Sequence, residues 1–216
     1  MRRTSAAIGA VAVAGLVMAG CGSSGSDGAS STTTQASVPM TDEALAAVLL
    51  TPEDLGAGWT LDTSSSDGGS APSCLREVPD SGPHAVAQAD GEYVNGDAVF
   101  ARESIGTQAS VADAEASWKV VTDALDGCSD VSSTSKGQPV TGTITSNGTA
   151  DVGDGSKSYT MAFTIQGAPL TIDVVVAHAG QVDMLVMYGA VGAPAPGAAH
   201  DMAVQALEKI QGDMTT

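Results

Sequence analysis

Positive charge is scarce in this sequence: eight Lys and Arg stand against 25 Asp and Glu over 216 residues. Arg2 and Arg3 precede Cys21 and every acidic residue follows it, so the six remaining bases leave a balance of −19 beyond that cysteine. Such a chain repels nucleic acid and anionic headgroups, which excludes nucleic-acid binding. The acidity otherwise reads as a solvated surface, with cationic ligands or divalent ions as the less favoured account. Histidine is equally sparse: His84, His178 and His200 are scattered, and no His-Glu-x-x-His spacing occurs. No metal site and no cofactor is therefore expected. A Gly-x-Ser-x-Gly nucleophile elbow is also missing. No apolar run reaches the ~20 residues of a membrane-spanning helix.

The longest apolar stretch, residues 6–19, follows Arg2-Arg3 and ends in Met18-Ala19-Gly20-Cys21. A basic n-region, a short apolar h-region and small residues before a cysteine predict a signal peptide over 1–20. The ending resembles a lipobox, with Met18 where Leu is commonest. This predicts a diacylglycerol thioether on Cys21 and anchoring at the outer face of the cell membrane. The alternative is an ordinary signal peptide with Cys21 as a spare thiol. Thr4-Ser5-Ala6 lacks the bulky apolar residues of the twin-arginine route, so the general secretory route is favoured. Two acyl chains hold a protein stably where one gives marginal binding.

Cys74 and Cys128 form an even pair in a chain expected to be exported, which predicts a disulfide. It would close a loop of about 54 residues and add ~4 kcal/mol by chain-entropy reasoning; the alternative is two free thiols. Residues 21–40 carry the lipidated cysteine and a Gly/Ser/Thr tether with almost no apolar content, unable to form a core. The globular domain is expected over 41–216.

Within it, Thr41 precedes a short helix with Leu45 and Val48 on one face. Thr51-Pro52-Glu53-Asp54 reads as a capping box with Pro at the first helical position. Residues 60–90 are polar and irregular, pinned by Cys74. Residues 91–105 read as a strand pair or one bulged strand. Ser110 to Asp113 opens the best helix, with Val111, Ala114, Trp118, Val121 and Leu125 on one face and Gly127 at its end. From Pro139 the period becomes two. Tyr159, Met161, Phe163 and Ile165 share a face, then Leu170 to Val176, then Val182, Met184, Val186 and Tyr188, with turns at Gly167-Ala168-Pro169 and Ala179-Gly180-Gln181. Alternating runs joined by tight turns predict an antiparallel meander. A closing helix over about 197–211 buries Met202, Ala203, Ala206, Leu207 and Ile210. The expected class is α+β: one antiparallel sheet, helices on one face, a single domain and one disulfide.

The order of these features resembles the PknH-like extracellular sensor domain of actinobacteria. The carriers are Leu50-Thr-Pro-Glu-Asp-Leu-Gly-Ala-Gly-Trp59, the Trp118 helix followed by Cys128, the Val152-Gly153-Asp154 turn, the meander and the last helix. The resemblance covers about residues 41–212. It implies a central cleft and an unidentified ligand. The kinase-borne domain has two disulfides, whereas this chain can form only one. A stand-alone lipoprotein of this type would sequester a ligand, hand it on or contact a partner.

The candidate chemistry is thin. Gly153-Asp154-Gly155-Ser156 reads as a turn between strands. Asp151 and Asp154 could grip calcium, without an EF-hand pattern. Asn147-Gly148-Thr149 reads as a hairpin turn before a glycosylation acceptor. Met161, Met184 and Met187 suit core packing, with a lipid-lined cavity or copper(I) as less favoured readings. Trp59 and Trp118 either meet in the core or flank a cleft. With His178 at a strand end, they are the ligand-binding candidates. The leading expectation is a non-catalytic ligand-binding or sensor-like domain taking a small molecule, lipid or envelope component. The alternatives are an envelope lipid carrier, a hydrolase relying on His178, and a purely structural envelope protein.

The leader makes a direct prediction. Cells fed an alkynyl palmitate analogue should label the wild-type protein and a Cys74→Ser variant but not Cys21→Ser. Label retained in Cys21→Ser would contradict lipid attachment there.

Overall fold

The computed structural model describes residues 40–63, 74, 85–135, 138–165 and 167–213. These lie in one compact unit spanning Ala36–Thr216. The signal peptide, Cys21, most of the tether and His84 fall outside the described residues.

Capping chemistry starts the helices where the sequence places them. Thr41 Oγ accepts from Ala44 N ahead of α1 (Asp42–Val48). Thr51 and Asp54 exchange side chain and backbone in a complete capping box on α2 (Pro52–Leu55). Ser110 caps α3 (Val111–Asp126), which stops at Gly127. Each cap satisfies backbone N–H groups that have no partner within the helix. A last helix, α4, spans Ala198–Asp213.

Among the described residues, eight strands form one sheet: β1 (Trp59–Leu61), β2 (Ala87–Asn95), β3 (Val99–Thr107), β4 (Asp130–Ser135), β5 (Gln138–Gly148), β6 (Gly155–Ile165), β7 (Ala168–Ala179) and β8 (Val182–Val191). Their order is β1-β2-β3-β8-β7-β6-β5-β4, and every pairing is antiparallel. Two meanders, β1–β3 and β4–β8, therefore join where β3 pairs with β8, and α3 makes the connection between them. The α+β class and the antiparallel meander stand. Residues 91–105 lie in a regular hairpin, Ala87 pairing with Thr107 and Asn95 with Val99. The turn before β7 is tighter than expected, because Ala168 already pairs with Ile165.

The expectation of helices on one face is corrected: they cover both. Along β7, Val175 and Ala177 belong to one core and Val174 and Val176 to another. Along β8, Met184 and Val186 belong to the first and Leu185 to the second. Successive side chains of a strand point to opposite faces, so these are two cores on two sides of one sheet. The first lies under α1 and α4, with Leu45, Met202, Ala206 and Ile210. The second lies under α3, with Val121, Leu125, Tyr159 and Cys128. The Cys74–Cys128 disulfide forms, with Cα atoms 5.8 Å apart, and ties the end of α3 to the chain between β1 and β2.

Polar groups lock the α1–α2 corner onto the first core. Glu103, fully buried on β3, accepts from Leu50 N at 2.8 Å. Tyr93 Oη donates to Leu50 O at 2.6 Å. Lys209 Nζ on α4 donates to Leu49 O and to Asp54 Oδ2, both at 2.7 Å. The Lys209 hydrogen bond holds the Asp54 carboxyl below its ordinary range. The Leu50–Trp59 segment that carries the family resemblance is thus a structural clasp.

Burial pushes the Glu103 carboxyl up to about 7, against the opposing pull of Leu50 N–H and Lys209. The folded state keeps this proton up to about pH 7, while the unfolded chain loses it near 4.5. Stability should therefore fall as pH rises through that window, by roughly 3 kcal/mol in full. Thermal melts of Glu103→Gln should match wild type near pH 4 and exceed it at pH 8. A difference that does not change with pH would refute the buried-carboxyl account.

Candidate functional site

Helices that cover opposite corners of a sheet leave the other two corners open. Among the described residues, α1 and α4 lie against β2, β7 and β8, and α3 against β5, β7 and β8, so β4 to β6 are the less covered strands on the first side and β1 and β2 on the second. Each open corner holds a groove, and a buried polar cluster lies beneath α3 between them.

The first groove, about 220 Å³, lies where α4 begins beside β5, β6 and β7. Asn147, Ser158, Thr160, Asp173, Val175 and His200 line it. Asn147-Gly148 is not the hairpin expected from its sequence. It ends β5 in a bulge, with the register shifting between Ser146 and Gly148 and Gly148 at φ +91°. A bulge adds one residue against a regular partner strand and re-aims the side chain at that point. Here Asn147 Nδ2 reaches Thr160 Oγ1 at 3.0 Å, and Thr160 donates onward to Asp173 Oδ1 at 2.8 Å.

The second groove, about 280 Å³, opens over β2, β3 and β8. Val94, Phe100 and Met187 supply its apolar surface, and Phe100 lies over Gly189, where a Cβ would strike the ring. Arg102 stands at its rim, 3.2 Å from Asp90 and 3.8 Å from Glu92.

The buried cluster contains the predicted residue His178. Its ring packs against Trp118 at 5.1 Å and lies over Gly155. Trp118 Nε1 donates to Val176 O at 3.3 Å. Asp183, the cross-strand partner of His178, accepts from Gln108 Nε2 at 2.9 Å. Burial raises its carboxyl to about 6, against hydrogen bonds from Ser117 and Gln108. Among the described residues, His178 Nδ1, Asp183 Oδ1 and Gln108 Oε1 are buried without a hydrogen-bond partner.

The structure separates residues that the sequence left together. Trp118 packs in the second core. Trp59 packs edge-to-face on Tyr188 at 5.8 Å, against the first. The two tryptophans therefore do not meet. Ser156 is buried and accepts from Val152 N at 2.9 Å, fixing the turn into β6. Asp154 Oδ2 accepts from Gly180 N at 2.7 Å, tying that turn to the β7–β8 hairpin. Among the described residues, no cluster of three His, Cys, Asp or Glu could hold a metal ion. Met161 and Met184 face opposite sides, and the void beside Met184 is only about 10 Å³. That is about the smallest space a water needs, far from a lipid cavity. Sequence reasoning missed Asn147, Thr160 and Asp173 as a unit. Threonine at a strand position signals only a solvated sheet face.

No family model matches the chain, and no curated protein matches it. Among solved structures, the extracellular domain of PknH from Mycobacterium tuberculosis matches 82% of this chain and 99% of its own length. The TM-score is 0.66 at 15% sequence identity. The chain therefore shares the fold of that extracellular domain, as its motif order implied.

The Trp118–His178–Gly155 stack has a measurable consequence. A Cβ at position 155 would lie 2.6 Å from His178 Nε2, and the ring is held by Trp118. Gly155→Ala should therefore cost about 1–3 kcal/mol in a denaturant melt, the usual range for overpacking. An unchanged midpoint would show that the ring is free to move.

Proposed function

We propose that this protein is a non-catalytic binding domain, sensor-like in fold, held by a lipid on Cys21 at the extracytoplasmic face of the membrane. The observation that carries the reading is the shared fold with an extracellular domain. The leader ending Ala19-Gly20-Cys21 and the Cys74–Cys128 disulfide support export to an oxidising compartment. Among the described residues, no helix is long and apolar enough to cross a membrane; in this reading the anchor is the lipid on Cys21.

Non-catalytic action is supported by how the candidate groups are used. Nucleophilic catalysis needs a nucleophile, a base and an oxyanion site converging on one open position. His178 and Ser156 are buried, and Ser156 accepts from a backbone N–H. The Gly153–Ser156 string thus serves as a turn. The two grooves, among the described residues, are open to solvent. A small amphiphile is the alternative occupant, favoured by Val94, Phe100 and Met187 in the groove over β2 and β3.

Extracts of the producing cell's envelope test the reading. A ligand at ten times its Kd stabilises the folded state by roughly 1.4 kcal/mol, worth about 3–6 °C for a domain of this size. Fractionated extracts should raise the melting temperature of the mature, disulfide-intact chain by that amount. Native mass spectrometry of the shifted sample would separate a lipid adduct from a polar one. Fractions that never move the melting point would sink the binding reading and favour a structural envelope role.

A further inference from the structure

We propose that the groove beside the Asn147 bulge is a binding site for one polyhydroxylated unit, a sugar ring or comparable polyol. The inference rests on the binding reading above and names its ligand class.

The groove is built from the backbone upward. The bulge at Asn147-Gly148 interrupts the pairing of β5 with β6, and Gly148 takes a positive φ that permits it. Its consequence is to set the Asn147 amide beside Thr160 on the face that α4 approaches. Asn147, Thr160 and Asp173, from three adjacent strands, then form one hydrogen-bonded line. Each link fixes the next, so the polar groups are pre-organised, which lowers the ordering cost of binding.

The line also settles which atoms remain for a ligand. Asn147 has used an amide N–H and Thr160 its hydroxyl proton, while Asp173 has used one carboxylate oxygen. Among the described residues, the Asn147 amide oxygen and the second Asp173 oxygen have no donor, the second Asn147 amide N–H has no acceptor, and Ser158 adds a hydroxyl that can do either. The groove therefore offers acceptors and donors side by side. That suits a ligand that presents several hydroxyls at close spacing.

Charge narrows the class. An anion is disfavoured by the Asp173 carboxylate and by a chain balance of −19 beyond Cys21. Val175, two residues from Asp173 on β7, and Ala199 at the start of α4 add apolar lining beside the polar groups. A pyranose offers this combination, with hydroxyls around its edge and C–H groups on its faces. The volume of about 220 Å³ lies below the ~300–1,000 Å³ of drug-sized pockets, which fits one ring.

Saturation-transfer NMR on the full lipidated chain in nanodiscs tests this, because it detects ligands with Kd on the order of millimolar. The probes are glucose, mannose, N-acetylglucosamine and myo-inositol, with putrescine as a cationic control. At least one polyol should receive saturation. Its binding should weaken about tenfold or more in Asp173→Asn and in Asn147→Ala, the loss expected for a charged or paired hydrogen bond. Phe100→Ala, in the opposite groove, should leave it unchanged. Asn147 is exposed, and Asn at 173 still accepts from Thr160, so both variants should fold; intact melting curves would verify this. Equal signals in wild type and both variants would overturn the proposal. So would putrescine binding without any polyol, or silence from every probe at about 50 mM, well above a millimolar Kd. If the polyols fail while envelope fractions still raise the melting point, the sugar assignment falls and the binding reading stands. If both fail, both fall.

Discussion

The structure depends on two strands buried from both sides. β7 and β8 run through the middle of the sheet and give alternate side chains to two separate cores. Val175, Ala177, Met184 and Val186 go to the side of α1 and α4, and Val174, Val176 and Leu185 to the side of α3. A one-residue slip in either strand would exchange the two sets. That register fixes where each helix lies, and helix placement decides which parts of the sheet stay open. The two grooves are what the diagonal packing leaves uncovered.

The polar groups divide along the same lines. Glu103, Tyr93, Lys209 and Asp54 fasten the α1–α2 corner over the first core. Asp126 fastens α3 to β6, taking Lys157 Nζ at 2.6 Å and Tyr159 Oη at 3.0 Å. These contacts hold the frame. Asn147, Thr160 and Asp173 belong to neither clasp and face a groove. The Lys209–Asp54 and Lys157–Asp126 ion pairs hold elements together, and the exposed Asn147 amide with the half-buried Thr160 and Asp173 is where the proposed ligand would meet the sheet.

Much of this frame was legible in the sequence. Thr41, Thr51 and Ser110 marked helix starts, Gly127 marked a stop, and alternation from Tyr159 to Tyr188 identified three strands and the faces they present. Periodicity of two could say which residues share a face. It could not say which helix covers that face, so the two-sided packing was missed. Continuous runs such as Val174 to Ala177 carried the hint, since a strand buried on both faces loses its alternation. β4 was missed because Asp130–Ser135 has a single apolar residue, Val131, and its place is set by pairing with β5. The disulfide was legible from cysteine parity. Trp59, Trp118 and His178 attracted notice as rare residue types; Trp59 packs against the first core, and Trp118 packs in the second against the His178 ring. The groove residues are common ones, and only a bulge read from three-dimensional pairing brings them together.

Hydrogen–deuterium exchange on the mature, disulfide-intact chain tests the central claim most directly, with and without solubilised polysaccharide from the producing cell's envelope. The account predicts slower exchange at residues 147–149 in the bulge and 197–200 at the start of α4, with β2 and β3 unchanged. Protection confined to β2 and β3, or no change anywhere, would contradict the claim that the open polar corner of this sheet is where the protein meets its ligand.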